Sequence, residues 1–245
     1  MPLDPGVLRP SPHEVNVAEP DAVAGALASL RRELGGGEGA VLVMPEGAAR
    51  VLLLEPPRGV DIREYARFRM VQGLPYPPSE AVMDTLAVAR GLYLCGAVRR
   101  SVARGYEEVA ESSGLRAERL DAAPLVAVNG LRRRAGPGEA GIALLLGDSA
   151  VSFAAFDRGR LAVFRTRLRQ PGPDEASWLR DELTRTAAIL GGAPLSRVAV
   201  VGSGAAVTAR SLRALGLDAD PVVGGLGGED RTEAAELDWL GAALA

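Results

Sequence analysis

The chain has 245 residues, a net charge of −3 and 47% hydrophobic residues, values typical of a folded globular protein long enough for two modest cores. All 28 basic residues are arginines, which excludes lysine-dependent sites such as a P-loop, a Schiff base or a protein-kinase site. One histidine, one cysteine and no basic tract argue against a zinc site, an internal disulfide and nucleic-acid binding.

The chain lacks the sequence features of a membrane-inserted or exported protein. Its longest apolar runs, such as Ile142–Leu146, are far shorter than the about 20 residues that cross a bilayer. Its first residues do not combine a charged start with an apolar segment, as a signal peptide would. We therefore expect a cytoplasmic protein that does not insert into the membrane.

The predicted elements of the first half alternate between helices and short strands. The proline-rich residues 1–20 predict an extended lead-in. Apolar residues at helical spacing predict helices at about 21–34, 61–72, 100–113 and 124–133. Short apolar runs predict strands at about 40–44, 48–54, 84–89 and 93–98. The stretch 134–138, rich in glycine and proline, predicts a boundary between two lobes.

The second half has a more regular pattern. Apolar runs separated by glycine-containing turns predict strands at about 142–146, 150–156, 161–166 and 198–201. Helical spacing predicts helices at about 175–190, 205–215 and 231–244. The order β-β-β-α-β-α is the layout of a ribonuclease-H-like lobe, which is an α/β architecture with a mixed sheet.

Two glycine turns are the candidates for a ligand site. They consist of Gly147, Asp148 and Ser149, and of Gly202, Ser203 and Gly204. The first turn joins two strands, and the second follows a buried strand and opens a helix, so both can direct backbone N–H groups toward a phosphate. The alternative is that both are ordinary turns that need glycine for their conformation. The sequence shows no pair of carboxylates suited to catalysis or to holding magnesium.

Several segments resemble motifs of one known family. Leu74–Pro77 followed by Asp84 resembles an "iPf…lDy" segment, and Gly96–Arg100 followed by Tyr106 resembles "vaavrr…y". Further matches, in the same order and spacing, lie at Ser113–Leu115, Leu120–Asp121, Asn129–Leu131, Leu146–Arg165 and Val201–Gly204. The chain thus resembles the PilM family of type IV pilus assembly proteins, and more distantly the cytoplasmic part of GspL-type secretion proteins and the cell-division protein FtsA.

This resemblance implies a two-lobed actin-like (ribonuclease-H-like) fold with a small inserted α+β subdomain. The first lobe would span residues 1–138, with the insertion at about 45–120, and the second lobe would span 139–245. The family opens with a strand-turn-strand of the form "GIDIGSSSIK", and this sequence begins after that point. We therefore expect the first lobe to lack its opening strands, through a truncated start or a true absence.

The resemblance also bears on the nucleotide. Leu145 occupies the position where the family has the aspartate of its second "DIG" motif, which contacts the water shell of the metal. An apolar residue cannot replace that aspartate, so we expect a degenerate nucleotide site. ATP with Mg²⁺ is the cofactor that the family would imply, and hydrolysis is not expected.

By resemblance, the chain would be a scaffold on the cytoplasmic face of the inner membrane. It would bind the cytoplasmic tail of a PilN-like protein in an apolar groove formed by the regions Val41–Leu54 and Tyr65–Tyr76. The candidate partner-binding residues are Val43, Leu52, Leu54, Phe68 and Tyr76. Two alternatives stay open: an ATP-switched ATPase of the same fold, and an unrelated ribonuclease-H-like small-molecule kinase. Self-association also stays open.

Overall fold

The computed structural model describes residues 3–134, 141–190, 197–202 and 204–222. The helices are α1 (Pro20–Glu33), α2 (Ile62–Val71), α3 (Arg100–Ser112), α4 (Ala123–Arg134), α5 (Glu175–Ile189) and α6 (Ala205–Ala214). The strands are β1 (Gly39–Met44), β2 (Arg50–Leu54), β3 (Ala81–Ala89), β4 (Leu92–Arg99), β5 (Arg116–Ala122), β6 (Gly141–Leu146), β7 (Ala150–Asp157), β8 (Arg160–Leu168), β9 (Val198–Gly202) and β10 (Ala219–Pro221).

The predicted helices and strands that fall on described residues are confirmed, with boundaries shifted by a few residues at most. The predicted helix at 231–244 and most of the predicted boundary at 134–138 lie outside the described residues. Strands β5 and β10 were not predicted. β5 begins with alternating charged residues, and it forms a strand because it pairs in parallel with β1, which buries Leu120 and Ala122.

The largest sheet is mixed and has the order β10-β9-β6-β7-β8. β6 pairs in parallel with β9 and antiparallel with β7, and β7 pairs antiparallel with β8. This is the sheet expected from the β-β-β-α-β-α order. The connection from β8 through α5 to β9 brings the carboxyl ends of β6 and β9 to the same edge of the sheet.

The rest of the described chain forms two smaller sheets. β2, β4 and β3 make an antiparallel sheet in the order β2-β4-β3, and β1 and β5 make a parallel pair. One core cluster draws residues from all three sheets, so the region around β1 and the region around β6 share apolar contacts. A second cluster lies between the largest sheet and helices α5 and α6.

The lead-in does not run as a free extended segment, which corrects the expectation from its prolines. Val7 and Val17 are buried in a small cluster with Val23 of α1 and Val109 of α3. An antiparallel bridge between Leu8 and Val17 folds the segment back on itself. The apolar residues at the start of the chain therefore cover the outside of α1 and α3.

Candidate functional site

The two predicted glycine turns meet at one edge of the largest sheet. Leu146 and Gly202 are direct partners in the parallel ladder between β6 and β9, and Gly147 follows Leu146. Crevices at the carboxyl ends of parallel strands are the usual ligand sites of α/β sheets. The structure thus brings the two turns together, while Ser203 lies outside the described residues.

The glycines of the second turn have different structural roles. Gly202 has a φ of +111°, and a Cβ atom there would lie 2.2 Å from the carbonyl oxygen of Leu146. Gly204 has a φ of +78° at the N-cap of α6, with open space where a Cβ would stand. Glycine at 202 is therefore required for the close approach of β6 and β9, whereas glycine at 204 is required only for the backbone conformation.

The first turn is fixed by hydrogen bonds. The backbone N–H of Gly147 donates to the carbonyl of Ala150 at 2.9 Å, and Arg169 Nη1 donates to the carbonyl of Gly147 at 2.9 Å. Arg169 is held in turn by Glu175, at 2.7 Å. Asp148 lies exposed at the tip of this turn. These hydrogen bonds hold the backbone of the turn, and the side chain of Asp148 is open to solvent.

Glu46 fills the space beside the first turn. It lies in the turn between β1 and β2 and is 7% exposed. A Cβ atom at Gly147 would lie 2.4 Å from Glu46 Cβ. The next residue, Gly47, has a φ of +92°, and a Cβ there would lie 3.0 Å from Ser149 Oγ. The β1–β2 turn thus docks directly on the β6–β7 turn.

The carboxyl group of Glu46 belongs to a polar network that is buried at Glu46 and Ser152 and reaches the surface at Thr166. Ser152 of β7 donates a hydrogen bond to Glu46 Oε1, and the hydroxyls of Ser152 and Thr166 lie 2.6 Å apart. Burial raises the pKa of Glu46 to about 7, although the Ser152 hydrogen bond opposes the rise. Near neutral pH this carboxyl therefore changes its charge. In its ionised form it would repel a phosphate brought to the adjacent turn.

Leu145 lies on the same side of the sheet. It pairs with Ser152 across β6 and β7, is 4% exposed and belongs to the shared core cluster. A metal-water shell would need polar partners at this point, and the core offers a leucine instead. Among the described residues, no group of three or more His, Cys, Asp or Glu side chains could hold a metal ion.

The candidate partner-binding residues divide into exposed and buried ones. Val43 and Phe68 are 47% and 62% exposed, and Leu52 is partly buried. Leu54 and Tyr76 are 5% and 8% exposed, and burial raises the pKa of Tyr76 to about 12. Leu54 and Tyr76 thus pack mainly into the interior of the chain, and their place on a partner surface stays a prediction.

The two exposed residues lie on different elements. Val43 follows Val41 on the outer side of β1, and among the described strands β1 pairs only with β5. Phe68 and Val71 line a cavity of about 760 Å³ between α2 and β3, with Met83 on the strand side. Two apolar surfaces are thus accessible, one along a sheet edge and one along a helix.

Comparisons with known proteins give a fold but no sequence relative. No family model matches the chain, and no curated protein matches it either. Among solved structures, it is similar to the PilM–PilN type IV pilus biogenesis complex, with a TM-score of 0.69, 19% identity and coverage of 100% of this chain and 87% of that chain.

Two further solved structures match most of the chain. One is a Bacteroides thetaiotaomicron protein with an actin-like ATPase fold and unknown function, with a TM-score of 0.51, 12% identity and coverage of 81% and 76% of the two chains. The other is the cytoplasmic domain of EpsL, an inner-membrane component of the Vibrio cholerae type II secretion system, with a TM-score of 0.50, 12% identity and coverage of 76% and 68%. The chain has the actin-like fold.

These similarities confirm the predicted fold class. They concern the fold alone, since fold and function are separable. In the part of the chain that the structure describes, no helix has both the length and the apolar character to cross a membrane.

Proposed function

We propose that the chain is an adaptor on the cytoplasmic face of the inner membrane, in a type IV pilus or type II secretion assembly platform. It binds the cytoplasmic tail of a PilN-like membrane protein and reaches the membrane through that partner. The observation that carries this proposal is the structural similarity to the PilM–PilN complex over the whole chain. The similarity to the EpsL cytoplasmic domain supports the same setting.

The adaptor role does not depend on nucleotide turnover. The buried carboxyl of Glu46 packs against Gly147, and Leu145 places an apolar side chain where the resemblance would require an aspartate. Both features disfavour a bound phosphate with its metal. In this proposal the glycine turns of Gly147 and Gly202 serve the docking of neighbouring strands, and the nucleotide site is degenerate.

The accessible apolar residues supply a surface for the tail. An extended peptide gains affinity from backbone pairing at a sheet edge and from pockets for its side chains. Val43 lies on β1, whose second edge has no partner among the described strands, and Phe68 lies at the cavity beside α2. We assign tail binding to these two surfaces, at Val43 and at Phe68, together with the partly buried Leu52.

The first test is direct binding of a labelled N-terminal peptide of a PilN-like protein, measured by fluorescence anisotropy with the full chain. We expect saturable binding that Val43→Asp and Phe68→Asp each weaken about 10-fold or more, since a charge in an apolar contact loses more than about 1.4 kcal/mol. Val207→Asp is the matched control, because Val207 is 64% exposed on α6. No binding, or equal weakening by all three variants, would contradict the proposal.

The second test separates the adaptor from the ATP-switched alternative. Thermal unfolding is recorded with and without Mg-ATP. A ligand at about 100 times its Kd would stabilise the fold by about 2.7 kcal/mol, which is a readily measured rise in Tm. We expect no rise. A saturable rise in Tm would favour the ATP switch and would refute the degenerate site. The conclusion from the peptide-binding test would be unaffected.

A further inference from the structure

Three arginines surround one buried glutamate between β8 and α5. Arg165 and Arg167 alternate along β8 on the face that α5 covers, and Glu182 of α5 is 3% exposed. Arg165 and Arg185 form close ion pairs with the Glu182 carboxylate, and Arg167 Nε lies 3.5 Å from Glu182 Oε2. One carboxylate thus orders three guanidinium groups from two elements.

The charges of this cluster do not balance. A single carboxylate compensates one of the three guanidinium groups, so two positive charges remain. The neighbouring acids are engaged elsewhere, Glu175 with Arg169 at 2.7 Å and Asp181 with Arg180 at 3.4 Å. Within the described part of the chain, no further acidic side chain pairs with the three arginines of the cluster.

Arg165 forms the fixed inner wall of the cluster. Its guanidinium lies over the ring of Phe153, 5.4 Å from the ring centre, and its side chain is 14% exposed. Burial lowers the pKa of Arg165, and the charges of Arg167 and Arg185 lower it further. The positive charges of Arg167 and Arg185 therefore repel the charge of Arg165. Such repulsion is relieved when an anion binds.

The outer two arginines are accessible to a ligand. The side chains of Arg167 and Arg185 are 55% and 68% exposed, and both are oriented by the same carboxylate. A guanidinium carries five N–H donors, so each of these arginines keeps donors available after its contact with Glu182. Both arginines thus contact the same carboxylate, Arg167 at Oε2 and Arg185 at Oε1, from side chains that are more than half exposed.

We propose that Arg165, Arg167 and Arg185 form a binding site for a phosphate group carrying two negative charges. A phosphate monoester has a charge of about −1.5 to −2 at neutral pH, which matches the two uncompensated charges. A carboxylate would neutralise only one of them. Paired guanidinium groups also suit the planar, two-point contacts that phosphate oxygens accept. Glu182 is a positioning residue in this site.

The phosphate could belong to a soluble compound or to the monoester headgroup of phosphatidic acid in a membrane. The recognition chemistry is the same in both cases, so the arms of one experiment separate them. Inorganic phosphate is titrated into the full chain at constant ionic strength and followed by ³¹P NMR. Flotation with phosphatidylcholine vesicles, with and without phosphatidic acid, gives the second arm.

The expected result is saturable phosphate binding that the double variant Arg167→Gln/Arg185→Gln weakens at least about 10-fold, because each charge-assisted hydrogen bond to an anion contributes strongly. Arg180→Gln is the matched control, since Arg180 lies on the same helix outside the cluster and should bind as the wild type does. Both substituted side chains are more than half exposed, so the double variant should keep the wild-type melting curve.

The two arms then identify the source. Phosphate binding with additional flotation on phosphatidic acid vesicles, both lost in the double variant, assigns the site to a lipid headgroup. Phosphate binding without flotation assigns it to a soluble phosphate compound. The proposal is overturned if the wild type shows no saturable binding at millimolar phosphate, if the double variant binds equally well, or if Arg180→Gln weakens binding to the same extent.

Discussion

Replacing Glu46 by glutamine should make the protein more stable at mildly alkaline pH and should flatten the dependence of its stability on pH. The pKa of Glu46 rises from 4.5 to about 7 through burial. Each pKa unit corresponds to about 1.4 kcal/mol, so the ionised form lowers the free energy of unfolding by about 3 kcal/mol relative to the protonated form. Glutamine is neutral at every pH and can still bond to Ser152.

The direction follows from proton binding. The native state holds the Glu46 proton more tightly than the unfolded chain does, so this group stabilises the fold most below pH 4.5. The stabilisation is lost as the pH rises from 4.5 to about 7, and the loss is complete above that value. Between about pH 5 and about pH 8, this single carboxyl should lower the free energy of unfolding by about 2.5 kcal/mol.

Urea unfolding of the wild type and of Glu46→Gln at these two pH values measures the effect. We expect the two proteins to agree within about 1 kcal/mol at the lower pH, and the variant to exceed the wild type by about 2–3 kcal/mol at the higher pH. Glu55→Gln, at an exposed position after β2, is the control and should keep the wild-type profile. A difference between wild type and Glu46→Gln that is the same at both pH values would refute the assignment of this carboxyl as a buried, titrating group.

Two pairs of substitutions test the packing around the glycine turns. Gly202→Ala should lower the free energy of unfolding by about 3 kcal/mol or more, because its Cβ would collide with a backbone carbonyl of β6. Gly204→Ala should lower it by only about 1 kcal/mol, because only the backbone conformation is strained there. Equal losses for the two variants in urea unfolding would contradict this difference. Leu145→Asp should lower the free energy of unfolding by at least about 3 kcal/mol, because it buries an unpaired carboxylate in the core. Leu145→Met should lower it by less than about 1.5 kcal/mol, because methionine is apolar and of similar size. A Leu145→Asp variant as stable as Leu145→Met would show that the position is open to water.

The sequence predicted most of the secondary structure because local patterns decide it. Leu179 and Leu183 repeat at helical spacing and are fully buried on α5, and the apolar run of β6 became the centre of the largest sheet. β5 was not predicted because its first four residues include the charged residues Arg116, Glu118 and Arg119 and form no apolar run. Its strand conformation comes from pairing with β1, which is a contact between distant parts of the chain.

The candidate sites depended on tertiary structure more than the secondary structure did. The sequence located both glycine turns, since glycine runs after apolar strands are visible locally. It gave no indication of Glu46, whose hydrogen bond to Ser152 joins residues 106 positions apart. It also did not show that Leu54 and Tyr76, which it assigned to a partner surface, are almost fully buried, because hydrophobicity alone does not separate an exposed residue from a buried one.

The sequence by itself determined the α/β class, the order of most helices and strands, and the exclusion of lysine-dependent chemistry, because these depend on composition and on patterns among neighbouring residues. Only the tertiary structure decided which charged side chains pair with one another. A glutamate on α5 and arginines on β8 have no relation in sequence, and they form one cluster because the crossover from β8 to β9 lays the helix over the strand. The burial that raises the pKa of Glu46 likewise exists only once the β1–β2 turn docks on the β6–β7 turn.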